Sequence, residues 1–110
     1  MLDLRLYLIQ RISALVLAPL VLVHILLMIY AVQDGLTAEE ILGRTRGSAG
    51  WAIFYGVFVL AAAAHAAVGV RAMAAEWAGL KAGALTILGW AVFLILGLLG
   101  ARAVFAVIGG

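Results

Sequence analysis

The stretch GWAIFYGVFVLAAAAHAAVGVRAM, residues 50–73, decides the fold because it is apolar for the length of a membrane crossing and contains a single histidine, His65. About 20 apolar residues are needed to cross a hydrocarbon core of roughly 30 Å. Two further runs of this length lie near residues 11–32 and 83–107, and the middle span extends to about residue 76. The sequence therefore predicts three transmembrane helices.

The composition is that of a protein that lies almost wholly in a membrane. Of the 110 residues, 68% are hydrophobic and only 11% are charged, a balance far more apolar than that of an ordinary soluble domain. The three spans leave no residues for a separate soluble domain. We therefore predict one all-α membrane-anchor domain over residues 1–110, built as a bundle of three transmembrane helices.

The charge and the cysteine content exclude several functions. The net charge of +2 is small and the basic residues are scattered, so nucleic-acid binding is not expected. The chain has no cysteine, which excludes disulfides, iron–sulfur ligation and thiolate-bound haem within it. Any such cofactor has to belong to a partner.

The basic residues near the span ends predict the orientation. Cytoplasmic segments carry an excess of Lys and Arg. Three basic residues lie on the side away from the N-terminus, and four lie on the N-terminal side: Arg5, Arg11, Arg71 and Lys81. A cytoplasmic N-terminus is therefore favoured. The lack of an Arg- and Ser-rich transit segment favours a bacterial inner membrane.

The connection 33–49 is polar and contains one helix signal. Thr37 is a good N-cap residue, and Glu40 stands three positions later, the spacing of a capping box. We expect a short surface helix here. We also expect the acids Glu39 and Glu40 to pair with Arg44 along it.

His65 lies on a face of the middle span that is narrow and mostly small. Residues on an α-helix advance by about 100° each, which places Ala61 and Gly69 one turn on either side of the imidazole. A flat macrocycle against a helix needs small neighbours of this kind. Spacing alone leaves two readings equally open: an axial ligand of haem iron, or a hydrogen bond across helices.

Two segments carry a resemblance to a known family. HAAVGVRAMAAEW, residues 65–77, and QRISALVLAPL, residues 10–20, resemble signatures of the membrane-anchor subunits of succinate dehydrogenase and fumarate reductase, most closely the cytochrome b subunit. The resemblance implies pairing with a second hydrophobic anchor subunit and one haem b shared between the two. It also implies docking of an iron–sulfur subunit and a flavoprotein subunit, and a quinone as substrate.

The resemblance also implies roles for individual residues of the haem site. His65 matches the axial haem ligand and would be the residue that binds the metal. Arg11 matches an arginine beside the haem propionates and the quinone pocket. Arg71 matches a basic residue six positions after the ligand, which is a candidate propionate partner.

Three more residues are candidates for contact with quinone beside Arg11. Ser13 belongs to the matching Arg-x-Ser segment. Tyr7 stands where the family carries a serine, and Trp77 stands in the place of a tyrosine. Two departures lie nearby, since Ala14 replaces a glycine and Ala72 replaces a residue that is often histidine.

The second imidazole, His24, does not match His65 in depth. His24 lies thirteen residues beyond Arg11, whereas His65 lies six residues before Arg71. In antiparallel helices this difference is about 10 Å in height, at about 1.5 Å per residue. We therefore expect the second axial ligand to come from the partner subunit, and His24 to contact a propionate or another helix.

The predicted function is a haem b-binding anchor of a succinate:quinone oxidoreductase, which passes electrons from an iron–sulfur partner to membrane quinone. Chemistry on the dicarboxylate would belong to the flavoprotein. The alternative is a haem-free structural anchor. A small transporter or channel subunit is disfavoured because no paired acids or broken helices lie at mid-membrane.

Overall fold

A computed structural model describes residues 4–109, and residues 1–3 and 110 of the predicted domain lie outside it. Within that range the chain forms four α-helices and one π-helical turn, and no strands. The elements are α1 Leu4–Asp34, α2 Ala38–Thr45, α3 Ala49–Met73, the π-helical turn Ala74–Ala78, and α4 Ala82–Ile108. The predicted all-α class is confirmed.

Among the described residues, three helical segments are long and apolar enough to cross a membrane: Leu4–Asp34, Ala49–Ala78 and Ala82–Ile108. The second and third agree with the predicted spans within a few residues. The first begins at Leu4 rather than near residue 11, so the first residues of the chain that the structure describes continue the helix. Pro19 lies inside α1 without ending it, as transmembrane helices tolerate.

The connection between the first two spans contains the expected surface helix. Thr37 caps α2, because its side chain accepts from the backbone N–H of Glu40 and Glu40 returns a contact to the backbone N–H of Thr37. The predicted pairing of Arg44 with Glu39 and Glu40 is wrong. Arg44 instead donates to the carboxylate of Asp34 at 2.5 Å and to the carbonyl of Gly35 at 2.7 Å, which ties α2 to the end of α1.

The connection is also held to the far end of α4. The hydroxyl of Thr45, which is buried, donates to the carbonyl of Val107 at 2.6 Å. The backbone N–H of Gly47 donates to the carbonyl of Ile108 at 2.7 Å. These bonds satisfy carbonyls at the C-terminal end of α4 that would otherwise have no helical partner.

The three spans pack with α3 in contact with both α1 and α4. The buried apolar core is small, consisting of Ala63, Ala67, Val68 and Leu85. Most large apolar side chains of α1 and α4 are exposed in the isolated chain, since their surroundings in a membrane are lipid or another subunit. The bundle measures 48 Å along its length, enough to span a bilayer with its headgroup regions.

Candidate functional site

The imidazole of His65 reaches across the interface between α1 and α3. Its Nδ1 lies 3.2 Å from the hydroxyl oxygen of Ser13, a residue 52 positions away in the chain. Ser13 is only 6% exposed, whereas His65 is half-buried. The Nε2 atom has no hydrogen-bond partner within residues 4–109. The structure therefore joins two of the residues that sequence analysis selected for different roles.

Ser13 makes a second hydrogen bond within its own helix. Its hydroxyl donates to the backbone carbonyl of Gln10, one turn earlier, at 3.1 Å. Such bonds are common for a serine within a helix. Because the hydroxyl already contacts two protein groups and is buried, Ser13 is poorly placed to contact a quinone as well.

Gln10 is a site residue that sequence reasoning missed. A Cβ atom added to Gly69 would lie 3.6 Å from the Nε2 atom of Gln10, so the glutamine packs over the glycine one turn from His65. Its Oε1 atom is buried and has no hydrogen-bond partner in the part of the chain that the structure describes. An unsatisfied buried acceptor costs about 1–3 kcal/mol. The available signal was a polar residue in an apolar stretch, one helical turn before Ser13.

The face of α3 around His65 has the predicted small residues. Ala61 and Gly69 lie one turn before and after it and are half-buried. Neither carries a side chain larger than a methyl group. The residues present therefore fit a flat macrocycle bound through Nε2 of His65.

His24 lies in the other half of the bundle. Its ring packs edge-on against Phe58 at 5.1 Å and against Tyr55 at 6.3 Å between ring centroids. Phe58 precedes His65 by seven residues, which is about 10 Å along a helix. The two imidazoles lie at different depths, as the residue count predicts, and the structure does not bring His24 to Arg11 or Arg71.

Arg71 lies on a different side of α3 from His65. Six residues along a helix place two side chains about 120° apart around its axis. The guanidinium of Arg71 donates to the hydroxyl of Thr86 on α4 at 3.4 Å. It lines an apolar cleft of about 290 Å³ together with residues of all three spans, including Leu6, Gly89 and Trp90. Thr86 is a second residue that sequence analysis did not select.

Arg11 and Tyr7 form a pair on the exposed side of α1. The guanidinium carbon of Arg11 lies 5.9 Å from the ring centroid of Tyr7, and both residues are exposed. Two residues along a helix are about 200° apart, so Arg11 and Ser13 point to opposite sides of α1. Of the four predicted quinone contacts, only Arg11 and Tyr7 are in contact with each other.

Trp77 lies in the π-helical turn that follows α3. Its side chain is 81% exposed. The turn ends at Gly79, whose φ of 65° is a left-handed conformation that favours glycine. Trp77 is therefore held near the end of the bundle where α1 begins, with its indole available to lipid or to another subunit.

His65 lines neither of the two clefts beside α3. The larger one, of about 490 Å³, lies between α3 and α4 and is wholly apolar. Residues 4–109 also contain no cluster of three or more His, Cys, Asp or Glu side chains suited to a metal ion. A haem shared with another subunit would be held by residues of both chains, so an open helix face could be this chain's part of such a site.

These features define a class: an all-helical membrane subunit with three spans and two imidazoles, at different depths, in the interface between its first two spans. Residues 2–103 match the family model described as succinate dehydrogenase/fumarate reductase transmembrane subunit. The chain belongs to this family. Searches of curated proteins and of solved structures gave no match.

Proposed function

We propose that this chain is the haem b-binding anchor of a succinate:quinone oxidoreductase and helps to pass electrons from an iron–sulfur subunit to membrane quinone. Membership of the family supports the complex. The observation that carries the haem assignment is His65: near the middle of a membrane-spanning helix, its Nδ1 has a protein partner while its Nε2 has none within residues 4–109. An ionisable group at this depth is a functional candidate by default.

His65 would supply a neutral imidazole to the haem through Nε2, and Ala61 and Gly69 would leave room for the macrocycle. When bound, the haem would supply one-electron redox chemistry. A further protein ligand for the haem would come from a second hydrophobic anchor subunit, because His24 packs against Phe58 at another depth. Exposed apolar surfaces on α1 and α4 are available for that subunit and for lipid.

Arg11 is the best placed basic residue for a propionate or a quinone. Its side chain is exposed near the end of the bundle where α1 begins and α3 ends, and Tyr7 packs beside it. A positioned cation stabilises negative charge that develops on a carbonyl oxygen, so Arg11 would polarise a quinone carbonyl. Trp77 is exposed near the same end and is retained as a quinone contact.

The other predicted contacts are less well supported by geometry. Arg71 bonds Thr86 on the side of α3 that faces α4, and His24 lies among the aromatic rings of α3. We therefore leave both out of the proposed propionate site. Ser13 is left out of the quinone site, because its buried hydroxyl already contacts His65 and Gln10.

The proposed location is a bacterial inner membrane with a cytoplasmic N-terminus. Arg5, Arg11, Arg71 and Lys81 would then all lie towards the cytoplasm, in agreement with the positive-inside rule. The iron–sulfur and flavoprotein subunits would dock on this side, close to Arg11. Oxidation or reduction of the dicarboxylate would take place in the flavoprotein.

The test is a reduced-minus-oxidised visible spectrum of the purified complex. We expect a b-type band in the parent and in His24→Ala, and no band in His65→Ala. His24→Ala is the matched control because it removes the other imidazole of the chain. Copurification of the partner subunits with each variant shows that the complex is assembled. A band of full height in His65→Ala would contradict the proposed haem site.

A haem-free structural anchor is the second candidate, and one observation favours it. The hydrogen bond between Ser13 and His65 gives the imidazole a partner across helices, which is a common role for polar residues in membrane bundles. In that case the parent complex would show no b-type band. The same measurement therefore separates the two functions.

A further inference from the structure

We infer that Ser13 is a positioning residue for His65: its hydroxyl oxygen accepts a hydrogen bond from Nδ1–H and so fixes the tautomer that leaves the lone pair on Nε2. The inference rests on the proposed function, because it concerns the same haem site. It differs from the quinone contact that the family resemblance implies for Ser13.

The assignment of the tautomer follows from a count of protons. The hydroxyl of Ser13 has one proton and lies within hydrogen-bond distance of two groups, the Gln10 carbonyl at 3.1 Å and Nδ1 of His65 at 3.2 Å. A carbonyl oxygen can only accept. For both bonds to be made, the Ser13 proton points to Gln10, and Nδ1 of His65 carries the proton of the second bond.

The other tautomer would lose one of these two bonds. If Nε2 carried the proton, Nδ1 would need the Ser13 proton, and the hydroxyl and carbonyl oxygens would face each other with no proton between them. Because Ser13 is buried, water has little access to replace the missing bond. The local geometry therefore favours His65 with a proton on Nδ1.

This tautomer is the one that a metal ligand needs. A neutral imidazole binds iron through the nitrogen that carries no proton, and the hydrogen bond of the other nitrogen sets which one that is. Such a bond also fixes the orientation of the ring and raises its basicity. Ser13 would thus act before haem binds, by holding the ring with Nε2 directed away from α1.

The test compares Ser13→Ala with Ser13→Thr in the purified complex. Haem is titrated into complex isolated from haem-deficient cells, and the midpoint potential of the b-type band is measured after loading. We expect Ser13→Ala to keep the band, to bind haem about 10-fold to 100-fold more weakly, and to show a more positive midpoint potential. Ser13→Thr, which keeps the hydroxyl, is expected to restore both values.

Two further variants keep the result interpretable. Ser48→Ala removes the hydroxyl that caps the N-terminal end of α3, far from His65. It should alter neither haem affinity nor midpoint potential. Ser13→Cys preserves the size of the side chain but offers only a weak acceptor, so it should behave like Ser13→Ala even if the alanine variant assembles poorly.

Two outcomes would overturn the inference. In the first, Ser13→Ala and Ser13→Cys have the same haem affinity and midpoint potential as the parent. In the second, Ser13→Thr fails to restore the parental values. His65→Ala is measured in parallel to keep the two proposals distinct. Loss of the band in His65→Ala with parental behaviour in Ser13→Ala would overturn the role of Ser13 alone. Retention of the band in His65→Ala would overturn the haem site itself.

Discussion

The two sides of α3 differ in chemistry. On the side that faces α1, His65 bonds Ser13, and Gln10 packs over Gly69. On the side that faces α4, the larger cleft is wholly apolar, and Gly100 lies directly against Val59. In lipid the hydrophobic effect does not drive helix association, so close packing at small residues is needed to hold helices together. The difference teaches that α4 contacts α3 mainly through apolar packing, while α1 contributes the polar contacts to the face that carries His65.

One polar contact breaks this division. Arg71 donates to Thr86 of α4 at 3.4 Å, so the α4 side of α3 is not apolar throughout. The contact lies near the end of the bundle, where a guanidinium can reach the headgroup region while its stem stays in an apolar cleft. Arg71 and Arg11 therefore differ in surroundings although both lie near the same end.

The largest expected effect is a difference in the rate of quinone reduction between variants of these two arginines. Arg11→Gln should lower quinone reduction by the purified complex about 100-fold, because one positioned cation at a developing oxyanion is lost. Arg71→Gln should leave the rate unchanged, because its guanidinium lies on the α4 side. Steady-state rates with a soluble quinone analogue measure both. An equal loss in Arg71→Gln would mean that the α4 side also takes part in the reaction.

The next effect concerns the close contact between α3 and α4. A Cβ added to Gly100 would overlap both methyl groups of Val59, and a β-branched side chain has few alternative rotamers. Gly100→Ala should therefore lower the free energy of unfolding by about 1–3 kcal/mol, measured by denaturant titration in detergent. The haem b band of folded complex should not change.

Gly97→Ala is the matched control for this variant. Gly97 lies one turn earlier on α4, and within residues 4–109 its added Cβ would have no atom within 4 Å apart from its chain neighbours and the backbone of its own helix. The free energy of unfolding of Gly97→Ala should equal or slightly exceed that of the parent, because alanine is the better helix former. Equal destabilisation by both variants would mean that an added methyl group destabilises α4 at either position. The loss in Gly100→Ala would then not be due to the contact with Val59.

A smaller effect is expected where the surface connection meets α4. Thr45→Val removes the hydroxyl that donates to Val107 and leaves the half-buried carbonyl of Val107 with one partner fewer, at a cost of about 1–2 kcal/mol. Denaturant unfolding measures the change. Thr86→Val, at an exposed position, should stay within about 0.5 kcal/mol of the parent. If Thr86→Val lost more stability than Thr45→Val, the hydrogen bond between Arg71 and Thr86 would be the stronger polar contact of α4.

The smallest effect is expected at the ion pair between Asp34 and Arg44. Asp34→Asn should cost about 0.2–1 kcal/mol, because exposed ion pairs contribute little. The loss should shrink as salt is raised, since screening weakens such a pair. Glu39→Gln is the control, since no contact of Glu39 with Arg44 is present among residues 4–109. A loss independent of salt would contradict an electrostatic origin.

Sequence patterns predicted the elements well where the signal is local. Three apolar runs gave the three spans, and the spacing of Thr37 and Glu40 gave the capped surface helix. The separation in depth between His24 and His65 also followed from residue counts. Each of these depends on spacing along one helix, or on the fixed rise per residue, and both can be read from a sequence.

Contacts between helices were predicted less well. The orientation of Ser13 towards His65, the orientation of Arg71 towards Thr86, and the burial of the Oε1 atom of Gln10 were not foreseen. The spans are apolar on all sides, so no polar stripe marks which side of a helix faces its neighbour. The rotation of each helix about its own axis therefore could not be inferred from periodicity.

The sequence by itself determined a three-span helical membrane chain with one imidazole flanked by small residues at mid-membrane, because length, hydropathy and helical spacing are local properties. Only the tertiary structure decided that Ser13 is the partner of that imidazole and that Arg71 turns towards α4. The physical reason is that these contacts depend on how the helices are rotated and how deeply they overlap. Packing between helices sets both quantities.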